Sequence, residues 1–105
     1  MDIYKKDQIE NIEISAGAEN TVTIDVRPIL ETVYYLSGAC VKDVDGRLRI
    51  NLIRCSIGSQ CEVDVPATVD AGAPNPYSMT LENRDMPIDI EFKDGSVRGL
   101  YEPNE

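Results

Sequence analysis

Apolar and polar residues alternate along most of the chain. Val22, Ile24 and Val26 fall on one side of an extended run, with Thr21, Thr23 and Asp25 on the other. This two-residue period belongs to a strand with one buried and one wet face. The same rhythm sets Leu48, Ile50 and Leu52 against Arg47, Arg49 and Asn51, and Cys61, Val63 and Val65 against Glu62 and Asp64. Tyr77, Met79 and Leu81 form another run, followed by Ile88, Ile90 and Phe92 and then by residues 97–101. Residues 32–41 are rich in strand formers, and Gly38 inside them predicts a bulge or bend. Ile12 and Ile14 mark a first strand; Ile9, off their parity, predicts a bulge or helical turn near Asp7. Pro28 and Pro66 lack an amide hydrogen and end their runs, and Gly72, Pro74 and Pro76 make 67–76 a loop.

No segment carries a convincing helical period. Short strands punctuated by Gly, Pro and Asp predict an all-β fold, a two-layer antiparallel β-sandwich of roughly seven to eight strands, immunoglobulin-like or a related Greek key. A chain of 105 residues makes this a single domain over 1–105.

Two Asp-Gly pairs mark hairpins. A two-residue turn at Asp94-Gly95 sets Phe92 opposite Val97, Glu91 opposite Arg98 and Ile88 opposite Tyr101. Its buried face would then be Ile88, Ile90, Phe92, Val97 and Tyr101, with Leu100 alone on the wet side. At Asp45-Gly46 a two-residue turn would oppose Lys42 and Arg49, a like-charge pair that costs energy. A three-residue loop with Gly46 as the bulge avoids this, so the longer loop is expected there.

Charge narrows the partners. Nineteen acidic residues against ten basic give a net charge of −9. Such a surface repels phosphate backbones and anionic lipid headgroups, so neither nucleic acid nor a membrane surface is an expected partner. A basic protein is. The chain has no histidine, which removes the commonest general base and zinc ligand; catalysis, a cofactor and a metal are not expected. Asp43-Val44-Asp45-Gly46 superficially resembles a calcium loop, but Val41 and Leu52 stand where the pattern needs carboxylates. No apolar segment follows the basic pair Lys5-Lys6, so no leader is expected and the cytoplasm is favoured unless a leader has been removed.

Cys55 and Cys61 flank five residues that read as a hairpin loop. Opposite each other they would reach disulfide distance in an oxidising compartment, or remain two half-buried thiols in a reducing one. Cys40 lies outside that pairing and reads as a core residue. Tyr34 and Tyr35 are adjacent on a strand, so one must face outward, and Tyr77 follows Asn75-Pro76 at the mouth of the longest loop. Together these features describe a non-enzymatic binding domain of the inhibitor or immunity type, engaging a basic protein. Glu62, Asp64, Asp89 and Glu91 would steer the encounter; Tyr34, Tyr35 and Tyr77, with Asn75, would anchor it. An extracytoplasmic immunoglobulin-like structural or adhesion module and a carboxylate- or thiol-dependent enzyme are the rivals. An exposed edge strand would allow a homodimer.

Overall fold

The structure, a computed structural model, describes residues 2–17, 19–83 and 85–103. It is all-β, with two sheets. The first contains β1 (Ile9–Ala16), β2 (Thr21–Pro28), β6 (Thr68–Val69) and β7 (Tyr77–Glu82), in the order β1-β2-β7-β6. The second contains β3 (Tyr34–Val44), β4 (Arg47–Ser56), β5 (Val65–Pro66), β8 (Ile88–Glu91) and β9 (Val97–Tyr101), in the order β5-β3-β4-β8-β9. The inward positions of the alternating runs meet between the layers. Val22, Ile24 and Val26 of β2 and Met79 of β7 share one core with Leu36 of β3, Ile50 and Leu52 of β4 and Ile88 and Ile90 of β8.

The expectation of a wholly antiparallel sandwich is corrected at one ladder. β4 and β8 run parallel, pairing Leu48 with Ile88 and Ile50 with Ile90. The 31 connecting positions, 57–87, cross to the other sheet and back through β6 and β7, so β8 returns in the direction of β4. The run at residues 61–65 is also corrected. Only Val65 and Pro66 join the ladder, beside Ala39 and Gly38, and a proline is tolerated there because β5 is an edge. Conversely, Thr68 and Val69 inside the expected loop pair with Ser78 and Tyr77. The irregularity near Asp7 is double: a 3-10 turn at Lys6–Gln8 and a bulge between Ile9 and Asn11. Gly38 lies at a register shift in β3.

The two Asp-Gly hairpins exchange their expected forms. Asp45 and Gly46 have φ of 53° and 79°, as a two-residue primed turn requires, and Lys42 does lie opposite Arg49. Neighbouring carboxylates offset that repulsion: Glu91 is 3.7 Å from Lys42 and Asp89 is 3.9 Å from Arg49. At the other hairpin only Gly95 has positive φ, 87°. Gly95 N–H donates to the Phe92 carbonyl and Phe92 N–H to the Ser96 carbonyl, so three residues form the loop, with Gly95 as its bulge. The Asp94 carboxylate favours this form by accepting the Ser96 N–H at 3.0 Å and its hydroxyl at 2.6 Å. Glu91 therefore pairs with Val97 and Ile90 with Arg98, one position from expectation. A bulge after Ile88 restores the Ile88–Tyr101 pair. The slip exposes Val97 and turns Leu100 onto the core.

Residues 2–4 complete the second sheet where β8 ends. Ile3 pairs with Ile53. The Tyr4 N–H donates to the Leu52 carbonyl, the Arg54 N–H to Asp2, and the Lys93 N–H to Tyr4. This short stretch holds Tyr4 at 2 % exposure under one end of the sandwich.

Candidate functional site

At that end the β2–β3 connection passes from the first sheet to the second. Pro28 closes β2, and the apolar pair Ile29-Leu30 follows it. A cleft of about 100 Å³ opens there, walled by Tyr4, Tyr34, Tyr35, Tyr77, Pro76 and Leu30. Three of the tyrosines singled out from sequence thus meet at one place, although Tyr77 is more than forty positions from Tyr34 and Tyr35. Leu30 is 98 % exposed. Val33 and Ile57, joined by a backbone hydrogen bond from Ile57 N–H to the Val33 carbonyl, are also exposed. Apolar side chains held in water beside aromatic rings are the usual composition of a protein-binding surface.

A charged clasp fixes one wall. The Arg54 guanidinium lies 3.5 Å from the Tyr34 ring centroid, a cation–π contact. It donates through Nε to Glu31 Oε1 at 3.0 Å and through Nη2 to Glu31 Oε2. Nη1 donates to Asp2 Oδ2 at 2.8 Å, and Lys93 holds the other oxygen of Asp2 at 2.7 Å. The Lys93 bond, opposed by partial burial and aided by Arg54, keeps the Asp2 carboxyl below its ordinary range. Beneath the clasp, burial chiefly, then the Glu31 charge and Tyr77, push the Tyr4 phenol far above its usual value. Its hydroxyl therefore stays neutral. Among the described residues it makes no hydrogen bond.

The remaining sequence-selected residues lie elsewhere. Asn75 turns away from the cleft; its Oδ1 accepts from Asn11 Nδ2 at 3.1 Å, beside a separate depression bordered by Glu13 and Asp25. Glu62 and Asp64 are exposed along the β5 edge, where Asp64 Oδ2 accepts the Val41 N–H at 2.7 Å. Asp89 is corrected outright as an outward carboxylate. It is 5 % exposed and bonded by both oxygens to Arg47 at 2.9 Å. Glu91 faces Lys42 and Asn51. A wider depression bordered by Lys5, Lys6, Asp7 and Asp94 has only exposed, charged walls that water already solvates.

Sequence reasoning missed Tyr4, Leu30, Glu31 and Arg54. The stretch holding Tyr4 is three residues long, too short to display a period. Leu30 did carry a signal, since Ile29-Leu30 is an apolar doublet immediately beyond a proline that ends a strand.

Cys55 at the end of β4 and Cys61 in the loop that follows are joined as a disulfide, with Cα atoms 6.1 Å apart. The bridge holds residues 56–60 against Tyr35, whose hydroxyl reaches the Ser59 carbonyl at 3.4 Å. Comparison with protein-family models, with curated proteins and with solved structures finds no match.

Proposed function

We propose that the domain is a non-enzymatic binding module that docks a basic protein at its tyrosine-walled end. The observation that supports this is the convergence of Tyr4, Tyr34, Tyr35 and Tyr77 on one cleft rimmed by exposed Leu30. Aromatic side chains give large contact area for little lost rotamer freedom, and such residues dominate binding energies. The net charge of −9 accelerates encounter with a cationic surface, with Glu62 and Asp64 as exposed contributors; the internal pairing of Asp89 removes it from that role.

Leu30→Asp tests the reading without touching the core, because the side chain is 98 % exposed. Immobilised protein should capture a basic partner from native extract at low salt and less of it at high salt. The variant should bind tenfold or more weakly, roughly the loss expected for a hot-spot residue, with an unchanged melting temperature. Equal capture by both proteins would remove this end of the sandwich from the function.

A second reading has its own support. The Cys55–Cys61 bridge suits an extracytoplasmic module, and the order β1-β2-β7-β6 follows the A-B-E-D order of one immunoglobulin sheet. The parallel β4–β8 ladder departs from that plan. Alkylating the native protein as it leaves its cell, without reductant, should label Cys40 alone; labelling at all three cysteines would assign it to a reducing compartment.

A further inference from the structure

The outward positions of a strand on a solvent-facing sheet should be wet, and along the first part of β4 they are: Arg47, Arg49 and Asn51 keep part of their surface in water. Ile53 and Cys55 share that parity, yet they are 0 % and 1 % exposed, and neither belongs to the core between the sheets. Their cover is the chain that follows β4. Cys61 is bonded to Cys55. Val63 Cγ2 lies where it would stand 2.9 Å from a Cβ on Gly38, the residue directly opposite Ile53. A groove of about 490 Å³ runs between this segment and β3, lined by Tyr35, Ser37, Cys61, Glu62 and Val63.

Hydrogen bonds do little to seat the segment. Ile57 N–H donates to the Val33 carbonyl and Asp64 N–H to that of Ala39. Between them, none of the amides of Gln60, Cys61, Glu62 and Val63 donates to a backbone carbonyl among the described residues. The Tyr35 hydroxyl reaches the Ser59 carbonyl at 3.4 Å and the Cys40 thiol that of Glu62 at 3.8 Å, both long. The disulfide is therefore the main fastening of residues 60–63.

We propose that residues 57–63 are a redox-released strap: closed by the Cys55–Cys61 bridge, they hold Ile57 and Tyr35 in the docking surface, and a dithiol that reduces the bridge frees them and weakens docking. The control of docking rests on the reading above; the release of the strap does not. Cys61 is the half-exposed sulfur and Cys55 the buried one. One thiolate of the dithiol attacks the Cys61 sulfur, the bond to Cys55 breaks, and Cys55 leaves as a thiolate that takes up a proton. The second thiolate then attacks its own reagent's sulfur in the mixed disulfide, closing a cyclic disulfide and releasing Cys61 as a thiol. The protein gains two electrons and two protons, and the dithiol loses them. The sheets should survive this. The bridge spans six positions, and the stabilisation a disulfide draws from the unfolded chain is smallest for short loops. Beyond the strap, β5 remains paired with β3.

The test treats the native protein with dithiothreitol, pulses it with N-ethylmaleimide and maps the modified cysteines by mass, with hydrogen exchange read on the same sample. Cys55 should be modified together with Cys61, while the amides of Ile24, Val26 and Ile50 keep their protection. Cys55 left unmodified after Cys61 has reacted fully would overturn the strap, because the segment would then stay seated without its bridge. Loss of protection across β2 would overturn it too, since the bridge would then hold the whole domain. Cys61→Ser gives the same reading without a reagent: its Cys55 should be open to N-ethylmaleimide. This variant should also capture the basic partner about fivefold or more weakly, as for the loss of one or two interface side chains. Should it capture as well as the bridged protein while Leu30→Asp still weakens capture, docking at this end stands and its redox control falls. Capture unaffected by Leu30→Asp is the separate failure of the docking reading itself.

Discussion

Gly38→Ala is expected to remove about 3–5 kcal/mol of stability, above the usual cost of overpacking a well-filled site. A Cβ at position 38 would stand 2.2 Å from the Val65 carbonyl oxygen, 2.9 Å from Val63 Cγ2 and 3.0 Å from Pro66 Cα. Two of these atoms are backbone, so no side-chain rotation relieves the clash. The φ of +157° is one that residues with a side chain rarely adopt, so torsion adds to the crowding. The chain has two responses. Either β3 shifts, disturbing the neighbouring Leu36 and Ala39 in the core, or β5 lifts away and the Gly38–Pro66 and Ala39–Val65 pairs are lost. Gly58→Ala is the control: its φ is +90° but nothing lies within 4 Å of the added carbon, so about 1 kcal/mol is expected. Urea denaturation of both variants measures the contrast. Equal midpoints would mean that β5 is not seated against β3 as described.

Gly38 also illustrates what the sequence made legible. A glycine within a strand signals a bulge or a close approach, and both occur here, but it cannot say which segment approaches. The alternating runs located β1, β2, β4 and β7 because each buries one face against a common core, so a change of parity would carry a heavy cost. Residues 61–65 alternate equally well and remain mostly outside the ladders: they run along an edge, where Val63 packs near Gly38 and few hydrogen bonds are available. Periodicity reports one-sided burial, which an edge loop can also supply.

The two hairpins failed for a different reason. Their Asp-Gly pairs are identical, and the choice between loop lengths was made by neighbours the sequence pattern does not connect. Ser96 supplies the N–H and hydroxyl that hold Asp94 out of a primed turn. Glu91 and Asp89, forty or more positions from the residues they face, offset the Lys42–Arg49 repulsion that argued against the shorter loop at Asp45-Gly46. Long-range charges decided what a pairwise reading assigned to the turn. The tyrosines were easier to select, since adjacent Tyr34 and Tyr35 cannot both enter one core. Their meeting with Tyr77 depended on β2 and β7 being neighbours, which no short-range pattern encodes.

Asp89→Asn is expected to cost about 2–3 kcal/mol at neutral pH, less than the ~3–5 kcal/mol of breaking a fully buried pair because the arginine heads are partly wet. The carboxylate is 5 % exposed and holds Arg47 through both oxygens. Arg49 lies 3.9 Å away, and its Nε is buried with no hydrogen-bond partner among the described residues. An amide keeps the volume but leaves two guanidinium charges without their shared counter-charge. The Arg47 bonds, opposed by burial and aided by both arginine charges, lower the Asp89 pKa from its ordinary 3.8. Because folding depresses it, the stabilisation is complete above the unfolded value and disappears as pH falls through the lower folded value. The asparagine variant has no such proton to bind. Its deficit should therefore be constant from neutral pH down to about 4 and shrink below that. Absolute stability follows a different course, since acidification toward the pI of about 4.4 first relieves the repulsion of a −9 surface. Both proteins share that relief, so the difference between their urea midpoints isolates Asp89. A deficit that persists unchanged in strong acid would mean that Arg47 and Arg49 do not depend on this carboxylate, and that another interaction holds β8 in parallel beside β4.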